Sequence, residues 1–199
     1  MKKIGVTGGT GSGKTTFALL LGEALNCPVI NADTLSREAS ALSETIDEIR
    51  KTFGEEYINS QGQMDRKKMG ALVFSDERSR EKLNGIIHPM VRKRYFEHCA
   101  LYEAEGESYV IYDCPLLFEC SLQGDVDKSI LVYTRDETRL ERIIKRDNLT
   151  KDEGISRMAS QMSQDDKIDL SDIVIYNDSD IEDLKKAALI VAEEITAND

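Results

Sequence analysis

A chain of 199 residues has room for one α/β domain with insertions and for a substantial buried core. Its makeup, 40% hydrophobic and 32% charged with 3 Pro and 13 Gly, excludes fibrous, disordered and membrane-embedded classes and fits a soluble globular protein. A formal net charge of −11 argues against general nucleic-acid binding, because nothing would offset phosphate repulsion over most of the surface.

The N-terminal run MKKIGVTGG lacks the apolar core of a signal peptide, and no 18-residue apolar run follows anywhere. Its apolar stretch, residues 3–8, reads as a first strand and leads into a glycine-rich turn and a helix after Lys14. Further strands are expected at 28–32, 108–113, 128–134 and 172–177, with helices over 136–146 and after Asp180. These runs are continuous and rich in Val and Ile rather than alternating, as in strands covered on both faces. The expectation is an α/β fold: a parallel five-stranded sheet with helices on both faces.

Two intervals break the alternation. Between the second and third strands lie about 75 residues of helical periodicity, against the dozen or so that a simple crossover needs, so a helical subdomain is inserted there. Residues 147–167 are polar, charged and short of large apolar side chains, which reads as a mobile helical flap. The four cysteines (Cys27, Cys99, Cys114, Cys120) form neither a CxxC pair nor a small-domain disulfide framework. Cys27 and Cys114 adjoin apolar runs and are expected as buried thiols, in a reduced, cytoplasmic setting.

Gly8-Gly-Thr-Gly-Ser-Gly13-Lys14-Thr15 matches GxxxxGK[ST] between a strand and a helix. In such a P-loop, backbone amides from Gly11, Ser12, Gly13, Lys14, Thr15 and Thr16 face the phosphates of a nucleoside triphosphate. Lys14 reaches the outer phosphates, and Thr15 supplies a hydroxyl to Mg²⁺. A GTPase would carry a guanine-reading NKxD after a later strand; here Asn177 opens Asn177-Asp-Ser-Asp. A motor or transporter ATPase needs partner domains that this length cannot hold. A small-molecule kinase needs an acceptor site, a base and a closing lid, and the helical insert and polar flap are suitable parts.

Several residues allow two readings from position alone. Asp33, at the C-terminal end of the second strand, is either a base for an attacking hydroxyl or the N-cap of the next helix. Asp113 ends the third strand as a Walker-B acid would, holding the metal through water, or is a turn residue before Pro115. Arg139, Arg142 and Arg146 share one helical stripe, either solvated or neutralising charge in the transition state. From Asp65 to Tyr95, nine Lys and Arg stand against four Asp and Glu, a basic island in an acidic chain. Pro89 suits the first position of a helix, which would make His88 its N-cap and place Arg92 one turn along, an anion site. The bland reading leaves Lys67, Lys68, Lys93 and Arg94 simply solvated.

The segments VTGGTGSGKTT, NADTLSRE, QGQMDRKKMGALVFSDERSREKLNGIIHPMVR, YVIYDCPLLFE, RLERIIKRD, SQM in the flap and SDIVIYND together resemble the dephospho-CoA kinase family, almost end to end. The resemblance implies a P-loop NTPase core over residues 1–34, 94–140 and 168–199, a helical substrate (CoA) domain over 35–93 and a lid over 141–167. It implies ATP-dependent phosphorylation of the ribose 3′-hydroxyl of dephospho-CoA. The partners would then be these two small molecules, with no nucleic acid or membrane and a monomer or weak homo-oligomer. Carried over by position, Asp33 is the base, and Lys14 and Arg142, then Arg146, stabilise charge; Asn177 lies near the adenine. Arg37, His88, Arg92, Leu116 and Phe118 contact the acceptor, with Leu117 in the same apolar wall. Glu119 has no assigned role. Relatives often carry Asp in place of Asn31 and Ile or Val in place of Leu35, and the flap sequence NLTKDEGISRM is sparingly basic for a lid. Other readings are a nucleoside- or shikimate-type kinase, or a catalytically silent nucleotide sensor.

Overall fold

A computed structural model describes residues 1–197. The chain divides into two compact units, one formed by Met1–Asn31 with the chain from Tyr102 onward, the other by Ala32–Leu101.

The first unit is built on five strands: β1 (Lys2–Thr7), β2 (Val29–Asn31), β3 (Tyr109–Asp113), β4 (Lys128–Tyr133) and β5 (Ile173–Tyr176). All pairings are parallel and the spatial order is β2-β3-β1-β4-β5. The apolar runs at the expected positions form these strands because each is rich in Val and Ile and flanked by loops. The central strand β1 is bonded on both edges, and its Ile4 and Val6 are buried. One face of the sheet is covered by α1 (Lys14–Leu25) and by the C-terminal helix (Ile181–Ala197). Phe17, Leu21, Leu184, Val191 and Ile195 of these helices meet Val6, Ile130 and Val132 of the strands in one core. On the other face Gly5 lets Leu117 and Val126 close in; a Cβ there would lie 3.0 Å from Leu117. Register aligns Val6 and Asn31 with Asp113, so the C-terminal ends of β1, β2 and β3 are level.

The second unit is helical: α2 (Ala32–Ala39), α3 (Ser43–Phe53), α4 (Arg66–Ser75) and α5 (Glu77–Ala104), the last running on into the first unit. A boundary drawn at residues 93 and 94 thus falls inside one continuous helix. A single antiparallel bridge joins Ile58 and Met64. Ile49, Met69 and Ile87 form its small core, with Leu83, Ile86 and Val91 packed around them.

The helix start expected at Pro89 is absent. Pro89 lies inside the 28-residue α5, so His88 caps nothing and no helix N-terminus marks an anion site there. Proline removes one ladder hydrogen bond and crowds the preceding turn. Here the burial of Ile87 and the packing of Leu83, Ile86 and Val91 on the same helix outweigh that local cost.

After β4 come α6 (Asp136–Asp147), α7 (Lys151–Ala159) and α8 (Gln164–Ile168), and Ile181–Ala197 is then α9. A Cβ on Gly154 of α7 would collide with Leu140, and Ile144 is next nearest, so this glycine lets α7 approach α6 closely. Thr150 and Glu153 form a capping box at the start of α7. Cys99 and Cys114 are buried and Cys27 half-buried, none of them in a disulfide. Among the described residues no helix is long and apolar enough to cross a membrane.

Candidate active site

The loop after β1 takes its shape from glycine. Gly11 and Gly13 have φ of 82° and 86°, backbone conformations that side chains with a Cβ rarely adopt. Gly13 is the N-cap of α1 and offers no side-chain cap bond, so the first-turn amides of α1 remain available to an anion. A Cβ on Gly13 would run into the Asn177 amide, and one on Gly9 into the Arg139 guanidinium.

Asp113 stands at the centre of the polar cluster beside this loop. It is fully buried, and its carboxylate pairs with the Lys14 ammonium through Oδ1. Its Oδ2 accepts from Thr15 Oγ1 at 2.8 Å and from Asn31 Nδ2 at 2.6 Å. A buried carboxylate needs such partners, so Asp113 is no mere turn residue. The contacts also give Asn31 a task that its sequence position did not reveal: it holds the acid from β2.

The loop carbonyls are held by side chains from three other elements. Ser12 O accepts from Asn177 Nδ2 at 2.7 Å and from Thr134 Oγ1 at 3.0 Å. Thr10 O accepts from Arg139 Nε at 3.0 Å, while Thr10 N donates to Gln161 Oε1 at 2.8 Å. Arg139 is buried; desolvation lowers its pKa, and Asp136, 2.9 Å from Nη1, opposes that. Arg142 is half-buried, with Nη1 3.9 Å from where a Cβ on Gly13 would sit. Arg146 is exposed and doubly bonded to Asp147, at 2.8 Å each, which raises its pKa. Of the arginine stripe, then, Arg139 and Arg142 lie against the loop and Arg146 is engaged by its neighbour. Asn177 likewise holds the loop through its side-chain amide.

Glu119 acquires a partner. Its Oε1 lies 2.8 Å from the Nζ of fully buried Lys167 and accepts from Met162 N at 3.2 Å. Lys167 also donates to Pro115 O at 2.9 Å. Leu117 and Phe118 are buried, and Leu116 is half-buried.

Residues 2–183 match the family model described as CoaE, dephospho-CoA kinase. The chain belongs to the dephospho-CoA kinase family. A dephospho-CoA kinase of Oceanobacillus iheyensis is 42% identical over 183 residues, 92% of each chain. Among solved structures, TT1252 from Thermus thermophilus is 32% identical with a TM-score of 0.83, covering 98% of this chain and 97% of its own. Dephospho-CoA kinase from Campylobacter jejuni is 27% identical with a TM-score of 0.74, covering 100% and 99%. The fold expected from the sequence, a P-loop kinase with five parallel strands, is the one found.

The remaining residues carried over from the family lie in the helical unit. Asp33 is exposed in the first turn of α2, with Ala32 ahead of it in the helix, so it is not the cap. Arg37 is exposed one turn on, on the same face. His88 and Arg92 are exposed one turn apart on α5, and the Arg92 guanidinium lies 5.4 Å from the Phe96 ring centroid. Lys93 and Arg94 reach Glu44, Glu38 and Glu97. Sequence reasoning left Gln161, Gln164, Thr134 and Lys167 unassigned. Only SQM, in the family resemblance, marked Gln161 at all.

Proposed function

We propose that this protein transfers the γ-phosphoryl group of ATP to the ribose 3′-hydroxyl of dephospho-CoA, giving CoA and ADP. What carries the reading is the family match along residues 2–183, joined to an intact P-loop in which Lys14 and Thr15 both bond to the buried Asp113.

Little covalent work falls to the protein in phosphoryl transfer; position and charge do most of it. The amides of Gly11 to Thr16 and the Lys14 ammonium hold the donor phosphates. Lys14 exchanges its Asp113 partner for phosphate oxygens as the triphosphate arrives, moving its charge from one anion to another. Arg142 neutralises charge that develops in the transition state. Asp33 accepts the proton leaving the acceptor hydroxyl, and Arg37, His88 and Arg92 hold the anionic acceptor. The apolar Leu116 and Phe118 belong to its surroundings. Arg146 must leave Asp147 before it can reach a phosphate, which makes it a weaker candidate than Arg142.

Thr15 and Asp113 would hold Mg²⁺, the first directly and the second through water. The donor set fits, since a hydroxyl and a carboxylate oxygen 2.8 Å apart suit a hard ion that keeps several waters. When bound, the ion supplies charge neutralisation on the phosphates.

Replacing Asp33 by Asn tests the acceptor chemistry. The kcat should fall by about 10²- to 10⁴-fold while ATP affinity is retained. Unchanged turnover would remove Asp33 from the mechanism.

A further inference from the structure

Thr10 is flanked by Gly9 and Gly11, the least restrained residues a chain can offer. Left alone, this turn would sample many conformations, and an ordered anion site would have to be assembled at the moment of binding. The structure removes that freedom by binding both backbone groups of Thr10 with side chains. Arg139 takes the carbonyl at 3.0 Å and Gln161 takes the N–H at 2.8 Å.

Gln161 is itself held by a short, well-anchored segment. The next residue, Met162, donates its N–H to Glu119 Oε1 at 3.2 Å, and that oxygen lies 2.8 Å from Lys167. Lys167 is fully buried and tied to Pro115 O, so the ion pair sits on the chain just past β3. Between them Gln164 binds both backbone groups of Thr134, at 2.6 Å to the carbonyl and 3.4 Å from the amide. Thr134 in turn donates to Ser12 O and Asn177 O, each at 3.0 Å. One side chain of this segment reaches the Thr10 amide, and three anchors fix where it points.

We propose that Gln161 is a positioning residue for the phosphoryl donor: it pre-orders the Gly9–Gly11 turn, and the Glu119–Lys167 ion pair acts on the donor through it. The inference rests on the reading of the loop as the ATP site. It gives Glu119 a role in nucleotide binding rather than in acceptor contact.

Direct titration of ATP in the absence of any acceptor tests this. Gln161→Ala should weaken ATP binding about three- to tenfold, the equivalent of one neutral hydrogen bond. Its KM for dephospho-CoA should stay within about twofold, because the acceptor makes no use of Thr10. Glu119→Gln should weaken ATP binding in the wild-type background and add little in the Gln161→Ala background. Wild-type ATP affinity in Gln161→Ala, or additive effects of the two changes, would overturn the proposal. So would an equal loss toward both substrates with a lowered Tm, the mark of a structural role. Should Glu119→Gln not fold, with Lys167 left as a buried unpaired charge, Gln161→Ala alone decides. ATP binding without turnover of dephospho-CoA by the wild-type protein would refute the acceptor assignment and leave this comparison intact.

Discussion

At the scale of single residues, the arginines of α6 show how one stripe divides its labour. Arg139 is buried and bonded to Thr10 O and Asp136, whereas Arg142 is half-buried near the mouth of the loop. Arg139→Ala should therefore cost about 1.5–3 kcal/mol of stability, the range for hydrogen bonds to a charged group. Arg142→Ala should leave the melting temperature nearly unchanged and lower kcat at least about tenfold, as expected where a cation faces developing charge. Thermal melts and steady-state rates on both variants check the pair; the reverse pattern would exchange their roles. The stripe itself was legible from spacing, but its burial was not. Which of three arginines turns inward depends on Gly9, whose missing side chain leaves room for the Arg139 guanidinium. Gln161 and Lys167 were illegible for a related reason: isolated polar residues in a charged stretch declare no partner until the fold brings Thr10 and Glu119 to them.

At the scale of elements, the five strands were plain in the sequence because each is a continuous run of Val and Ile, covered on both faces in the centre of the sheet. The phosphate loop was equally plain, since glycine at Gly11 and Gly13 answers a backbone demand that composition alone displays. Helix α5 was misread. Proline is a strong local signal for a helix start, yet nonlocal burial of Ile87 and Met69 carried the helix through it. That override has a measurable consequence. Pro89 is exposed, and a proline in a helix interior costs about 3 kcal/mol relative to alanine. Pro89→Ala should raise the melting temperature by several degrees, at about 2–4 °C per kcal/mol for a chain of this size. A lowered melting temperature would mean that α5 needs the proline. The basic island also changes character here. Lys93 and Arg94 are ion-paired with nearby glutamates, and such exposed pairs contribute little stability. His88 and Arg92 remain the members assigned to substrate.

At the scale of the whole molecule, the chain forms two compact units: one carries the P-loop, and the helical one is the unit proposed to take the acceptor. The net charge of −11 fits this arrangement, because only small anionic ligands need be attracted, and a few cations suffice for that. The core was legible almost in full, whereas for the acceptor side position alone left two readings at residues such as Asp33 and Arg92, and only the family resemblance chose between them, since exposed residues leave no periodic trace. The acceptor's identity is the central claim, and steady-state ADP release in the presence of Mg²⁺ tests it most directly. The account predicts turnover with dephospho-CoA, yielding CoA, and none with shikimate or a nucleoside. ADP release with shikimate or a nucleoside but not with dephospho-CoA, or ATP binding with no turnover of any of them, would contradict it.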